Sequence, residues 1–221
     1  MAKRRVLLTL AIVFLAFSVI GNADAGRGKV SLPEPLLGED GLHKQSWFSD
    51  SFLNLKEDVE EAKSENKRFV IIWEQRGCPY CKRTHEVNFR IPKIVDYIKD
   101  NFVMVQLNLW GSREVTDFDG EVLTEKRLAE KWGVRFTPTI QFFPDDVKKI
   151  GSRPGNKAEL VRVPGYFKPF HFFMLFQYIN IRSNEKEPNF QRYLIAEGTK
   201  IRDEKGIDTQ KLLWSDELLI D

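Results

Sequence analysis

The chain has only two cysteines, and they stand three apart in Gly77-Cys78-Pro79-Tyr80-Cys81-Lys82. Upstream, Phe69 to Glu74 is an apolar, β-branched run that reads as a buried strand; downstream the pattern becomes helical. A strand that delivers two thiols to the first turn of a helix suits thiol–disulfide exchange. The first sulfur sits beside unpaired backbone N–H groups and the positive end of the helix dipole, which stabilise a thiolate. The second lies one turn on, within reach of a disulfide. Cys78 is therefore expected to attack as the thiolate, and Cys81 to resolve the mixed disulfide. Arg76 and Lys82 are expected to favour ionisation of Cys78.

Other chemistries for the same residues are weaker. A bridge across so short a loop restricts the unfolded chain little, which disfavours a purely structural disulfide. Cys78, Cys81 and His85 offer three zinc ligands, but no second cysteine pair closes the site, and only His43 and His171 remain. His85 reads instead as a residue of the helix surface or one supporting the site. Lys82 stands where a C-x-x-C-H haem attachment needs histidine. No cofactor is expected. Pro138 is the second informative residue: it precedes an apolar strand, where its missing N–H suits either a cis bond in a tight turn or an ordinary trans proline at a strand start.

The elements that must position these groups follow in order. Lys3-Arg4-Arg5, the apolar run Val6 to Ile20 and Ala23-Asp24-Ala25 read as a cleaved secretory signal over residues 1–25; an uncleaved membrane anchor is the weaker alternative, because the apolar run is short for a span. Its removal takes Lys3, Arg4, Arg5 and Asp24, so the formal charge falls from +2 to 0. No basic excess remains for phosphate backbones, and nucleic acid is not an expected partner. No membrane span is expected after cleavage. Residues 26–50, punctuated by Gly and Pro, read as an extended leader.

A domain is expected over residues 51–181. Phe52 to Asn66 forms an amphipathic helix, Phe69 to Glu74 a strand, and Pro79 to about Asn88 the motif helix, with another helix from Pro92. Phe102 to Leu109 is a strand, and Trp110 to Gly120 a loop. A helix runs from a Thr124 cap to Gly133. Ile140 to Phe143, Val147 to Ile150 and Glu159 to Val163 are strand candidates, and a last apolar helix spans Pro169 to Ile181. The class is α/β: a small mixed sheet with helices on both faces. Residues 182–221 form a C-terminal extension whose apolar groups are expected to pack back.

Trp73 to Lys82, Phe136-Thr137-Pro138-Thr139 and Pro164-Gly165-Tyr166 together resemble a thioredoxin fold, with dithiol, cis-proline loop and last-strand glycine in order. More narrowly, Glu74 to Lys82, His85-Glu86, Gln106 to Gly120 and Leu123-Thr124-Glu125 resemble the periplasmic SoxW-type thioredoxins of sulfur-oxidation systems. The resemblance covers about residues 66 to 181. It implies an exported protein-disulfide reductase acting on disulfide-bearing proteins and fed by a membrane-embedded electron donor. It also implies that Pro138 faces the dithiol and that Thr137 offers its backbone to an extended substrate. Pro79 and Tyr80, a glutaredoxin-like pair, complete the substrate-supporting set. Two departures matter. Thioredoxins place a buried aspartate where Ile72 stands here and a tryptophan at Gly77, so Glu74 or water is the expected proton relay for Cys81. A disulfide oxidase or isomerase is the alternative activity. A non-catalytic binding module, with Trp110, Phe118 and Leu212 to Ile220 as its adhesive surface, is the alternative of another class.

Overall fold

The computed structural model describes residues 31–220; the signal segment, and the leader as far as Val30, lie outside the described residues. In chain order the elements are β1 (Leu36–Leu37), β2 (His43–Lys44), α1 (Leu55–Ser64), β3 (Arg68–Glu74), α2 (Pro79–Glu86), a 3-10 turn (Asn88–Arg90) and α3 (Pro92–Asn101). They continue with β4 (Phe102–Asn108), β5 (Glu114–Thr116), β6 (Val122–Thr124), α4 (Glu125–Trp132), β7 (Thr139–Phe142), α5 (Val147–Ile150) and α6 (Gly155–Ala158). The chain then forms β8 (Val161–Pro164), α7 (Pro169–Asn180), α8 (Ser183–Lys186), α9 (Phe190–Lys205) and α10 (Thr209–Trp214).

The central sheet runs β4-β3-β7-β8. β3 pairs parallel with β4 and antiparallel with β7, and β7 pairs antiparallel with β8, so the sheet is mixed. Every residue of β3 is buried, as expected of a strand covered on both faces. Successive side chains point to opposite sides. Val70 and Ile72 meet α3 and α7, whereas Phe69, Ile71 and Trp73 meet α1, α4 and the Phe118–Trp132–Phe143 aromatic group. Pro164 falls on the edge strand β8, where no ladder hydrogen bond is lost on the open side.

Four expectations are corrected. Val147–Ile150 is a helical turn, because the Asp146 side chain accepts from the Lys148 N–H and caps it. The Trp110–Gly120 loop contains the first strand of the β5–β6 hairpin, and Thr116 bridges back to Asn54. The motif helix stops at Glu86 rather than near Asn88, and the chain passes through Val87 into the 3-10 turn. The leader is not simply extended: β1 and β2 pair, Leu42 is buried, and Trp47 and Phe48 set their rings edge-on to Phe89 at 5.2 and 5.7 Å.

Beyond Arg182 the chain packs back. Tyr193, Leu194 and Leu212 join the α3/α7 side of the core, and Tyr178 of α7 contacts the Tyr193 ring at 4.9 Å. Among the described residues no helix is long and apolar enough to cross a membrane.

Candidate active site

The parallel strands β3 and β4 end together, with Glu74 opposite Asn108, and deliver the chain to the dithiol turn. Gly77 has φ +72°, a left-handed conformation that glycine adopts without strain. That backbone requirement accounts for glycine where thioredoxins carry tryptophan. Cys78 then caps α2 with Pro79 at its first position, where the missing N–H costs nothing. Cys78 and Cys81 form a disulfide with Cα atoms 5.2 Å apart.

The Cys81 N–H donates to Cys78 Sγ at 3.0 Å. The Thr137 carbonyl oxygen lies 3.4 Å from the same sulfur, which has no hydrogen to donate while oxidised. Thr137–Pro138 is a cis peptide, and the Pro138 carbonyl accepts from the Gly165 N–H at 2.7 Å, tying this loop to the end of β8. Cys78 keeps 6% of its surface and Cys81 2%, so Cys78 is the more open sulfur but is less accessible than expected. Thr137 and Pro138 are thus brought to Cys78. Tyr80 points outward, and its carbonyl accepts from the Thr84 hydroxyl at 3.0 Å.

The expected cationic support for Cys78 is engaged elsewhere. Arg76 donates to the carbonyls of Glu39 and Asp40, and Lys82 pairs with Glu86 at 3.5 Å. The helix N-terminus and the Cys81 N–H are left as the groups that would hold a Cys78 thiolate.

Beneath the dithiol lies a buried polar network that the sequence reading only touched. Ile72 is packed in the apolar core. Two residues on, on the same face of β3, Glu74 is 1% exposed. Its carboxylate accepts from Gln106 Nε2 and sits 3.0 Å from His85 Nε2. Gln45 Nε2 meets His85 Nδ1 at 3.1 Å. With Gln45 donating to Nδ1, the ring carries its proton on Nε2 and gives it to Glu74.

His85, read as a helix-surface or supporting residue, is fully buried among His43, Phe48 and Phe89 rings. Both of its nitrogens are occupied, which removes it as a zinc ligand beside the cysteines. Burial, and then the neighbouring His85, hold the His43 pKa below its ordinary value, although Glu74 and Glu86 oppose this. Gln45 and Gln106 were missed. Gln106 had a signal: it holds an inward position in β4, in register with Ile72. Gln45 had none.

Around the dithiol, Tyr80, Trp110 and Phe136 are exposed aromatics. Trp110 is tied to the dithiol turn, its Nε1 donating to Gln75 Oε1 at 2.9 Å, with Lys126 over its ring at 5.4 Å. Phe118 and Leu212, which the binding-module alternative would place on an adhesive surface, are buried because the β5–β6 hairpin and α10 fold them inward.

Three comparisons bear on this arrangement. Residues 55–180 match the family described as thioredoxin-like domain. Among solved structures, a thioredoxin-fold protein from Helicobacter pylori is 20% identical with a TM-score of 0.47, over 59% of this chain and 81% of that one. A thioredoxin from Thermus thermophilus is 16% identical with a TM-score of 0.43, over 57% and 83% of the two chains. A DsbH oxidoreductase is 13% identical with a TM-score of 0.35, over 58% and 86%. No curated protein matches the chain. With the family match spanning more than half of its length, the chain belongs to the thioredoxin-like domain family.

Proposed function

We propose that this protein is an exported thiol:disulfide oxidoreductase that reduces disulfides of extracytoplasmic partner proteins. The observation that carries this reading is the Cys78–Cys81 disulfide at the N-terminus of α2, with the Cys81 N–H on Cys78 Sγ. In the reduced protein that N–H and the helix dipole hold Cys78 as thiolate. The thiolate attacks one sulfur of a partner disulfide, forming a mixed disulfide and expelling the partner's first thiolate, which takes a proton from water.

Cys81 then loses its proton and attacks Cys78 Sγ, expelling the second partner thiolate. Two electrons pass to the partner, whose second thiolate, like its first, takes a proton from water, and Cys78–Cys81 is left oxidised. A dithiol carried by a membrane-embedded donor restores it by the same exchange. The Thr137 backbone pairs with the extended partner segment, Pro138 faces the mixed disulfide, and Pro79 and Tyr80 shape the turn between the sulfurs. Glu74, buried at the end of β3, is the proposed proton acceptor for the second step. The resemblance to SoxW-type thioredoxins supports periplasmic sulfur-oxidation proteins as partners.

Insulin reduction with dithiothreitol as donor tests the reading. The wild type is expected to accelerate precipitation, and Cys78→Ser to return the rate to background; equal rates for the two would refute it. The reduction potential decides direction: a value near about −270 mV fits a reductase and one near about −120 mV an oxidase.

A further inference from the structure

At the opposite end of β3 from the dithiol, the strand begins with a buried charge. Arg68 is 8% exposed and its Nε has no hydrogen-bond partner. Among the described residues its guanidinium forms no ion pair, although the cations around it are matched: Lys63 with Asp146, Lys67 with Glu65, and Lys149 and Arg182 with Asp145. A buried guanidinium N–H without a partner is costly, because its hydration is lost and no hydrogen bond replaces it. Burial accordingly lowers the Arg68 pKa, with Asp145 opposing and Arg182 adding to the effect; an arginine this far above neutrality still stays charged.

Arg68 lines a cavity of about 360 Å3. The rest of the charged wall is Lys63, Lys67, Lys149 and Arg182 against the carboxylates Asp145 and Asp146, so five cations face two anions. A cavity this size has room for a tetrahedral oxyanion and several waters. The planar guanidinium fork suits two oxygens of such a group. Seven residues of extended strand put this cavity roughly 20 Å from the sulfurs, so it is separate from the dithiol.

We propose that the cavity at Arg68 is a binding site for a phosphate-type oxyanion, free or carried as a phosphomonoester, with Arg68 as the buried anchor and Lys149 and Lys63 on the rim. The ion supplies the hydrogen bonds that Arg68 lacks.

The test is thermal unfolding of the whole protein in a phosphate-free buffer of fixed ionic strength, titrated with inorganic phosphate and separately with O-phosphoserine. For the wild type, Tm is expected to rise saturably with at least one probe, by about 3–6 °C at tenfold excess over the dissociation constant. The probe that saturates at lower concentration identifies whether the free or the esterified group is preferred. Arg68→Gln is expected to abolish the response while folding at least as stably as the wild type without phosphate. Lys149→Gln, at the open rim, is expected to raise the dissociation constant several-fold. A phosphate response retained in Arg68→Gln, or a wild-type response equalled by sodium chloride at matched ionic strength, would overturn the proposal. Insulin reduction by Arg68→Gln is expected to equal that of the wild type, so the two readings fail separately.

Discussion

At the scale of single residues, two sulfurs bridge at a helix end, and Glu74 is buried at the end of the preceding strand. The cysteines were legible because their spacing, the apolar strand before them and the helical pattern after them agree. Glu74 was legible only as a candidate. Its setting depends on Gln45 and Gln106, which come from the leader and from β4, and spacing along one segment says nothing of such partners. Of the two readings of His85, helix surface or support, the structure keeps the second: its neighbours in α2 are polar, but the leader's Phe48 covers it and its Nε2 meets Glu74. Glu74→Gln removes the charge while keeping the hydrogen-bonding shape. Reduction of insulin at pH 7 is expected to fall by about tenfold to a hundredfold, and to recover above roughly pH 9, where Cys81 ionises unaided. A wild-type pH profile in this variant would remove Glu74 from the proton path.

At the scale of elements, α1 carries a second buried acid. Asp58 is 5% exposed, and burial pushes its pKa up to about 6, against the Ser51 hydroxyl that donates to it at 2.6 Å. Glu61 and Glu57 push in the same direction as burial. A folded-state pKa above the unfolded value of about 3.9 means that the folded chain binds the extra proton. This group's contribution is therefore complete below about pH 4 and is lost as pH rises through about 6. Asp58→Asn is expected to flatten that part of the stability profile. Between pH 4 and pH 7.5, urea unfolding should lose on the order of 2 kcal/mol less in the variant than in the wild type. Parallel profiles for the two proteins would contradict the assignment.

The short elements were the least legible. Val147–Ile150 is β-branched and apolar at both ends, yet one Asp146 cap turns it helical. The β5–β6 hairpin has three-residue strands, too short for an alternation to register.

At the scale of the whole molecule, the leader and the tail enclose the α/β sheet rather than hang from it. The central order of strands and helices was readable from periodicity, because both faces of the sheet demand long apolar runs. The enclosure was less so, since a few apolar residues in a polar tail fit either packing back or docking a partner. The structure places Leu212 in the core and joins Arg83 of the motif helix to Asp216 by an ion pair. Leu212→Ala is expected to cost about 2–5 kcal/mol in urea unfolding, the range for truncating a buried leucine. A loss below about 0.5 kcal/mol, typical of exposed positions, would show that the tail does not share the core.

These scales meet in one claim, that Cys78 attacks partner disulfides and Cys81 releases them. The most direct measurement is mass spectrometry of Cys81→Ser after reduction and mixing with a disulfide-bonded peptide. A covalent adduct through Cys78 that dithiothreitol releases is expected, with no lasting adduct in the wild type. An unmodified Cys78 in Cys81→Ser would contradict it.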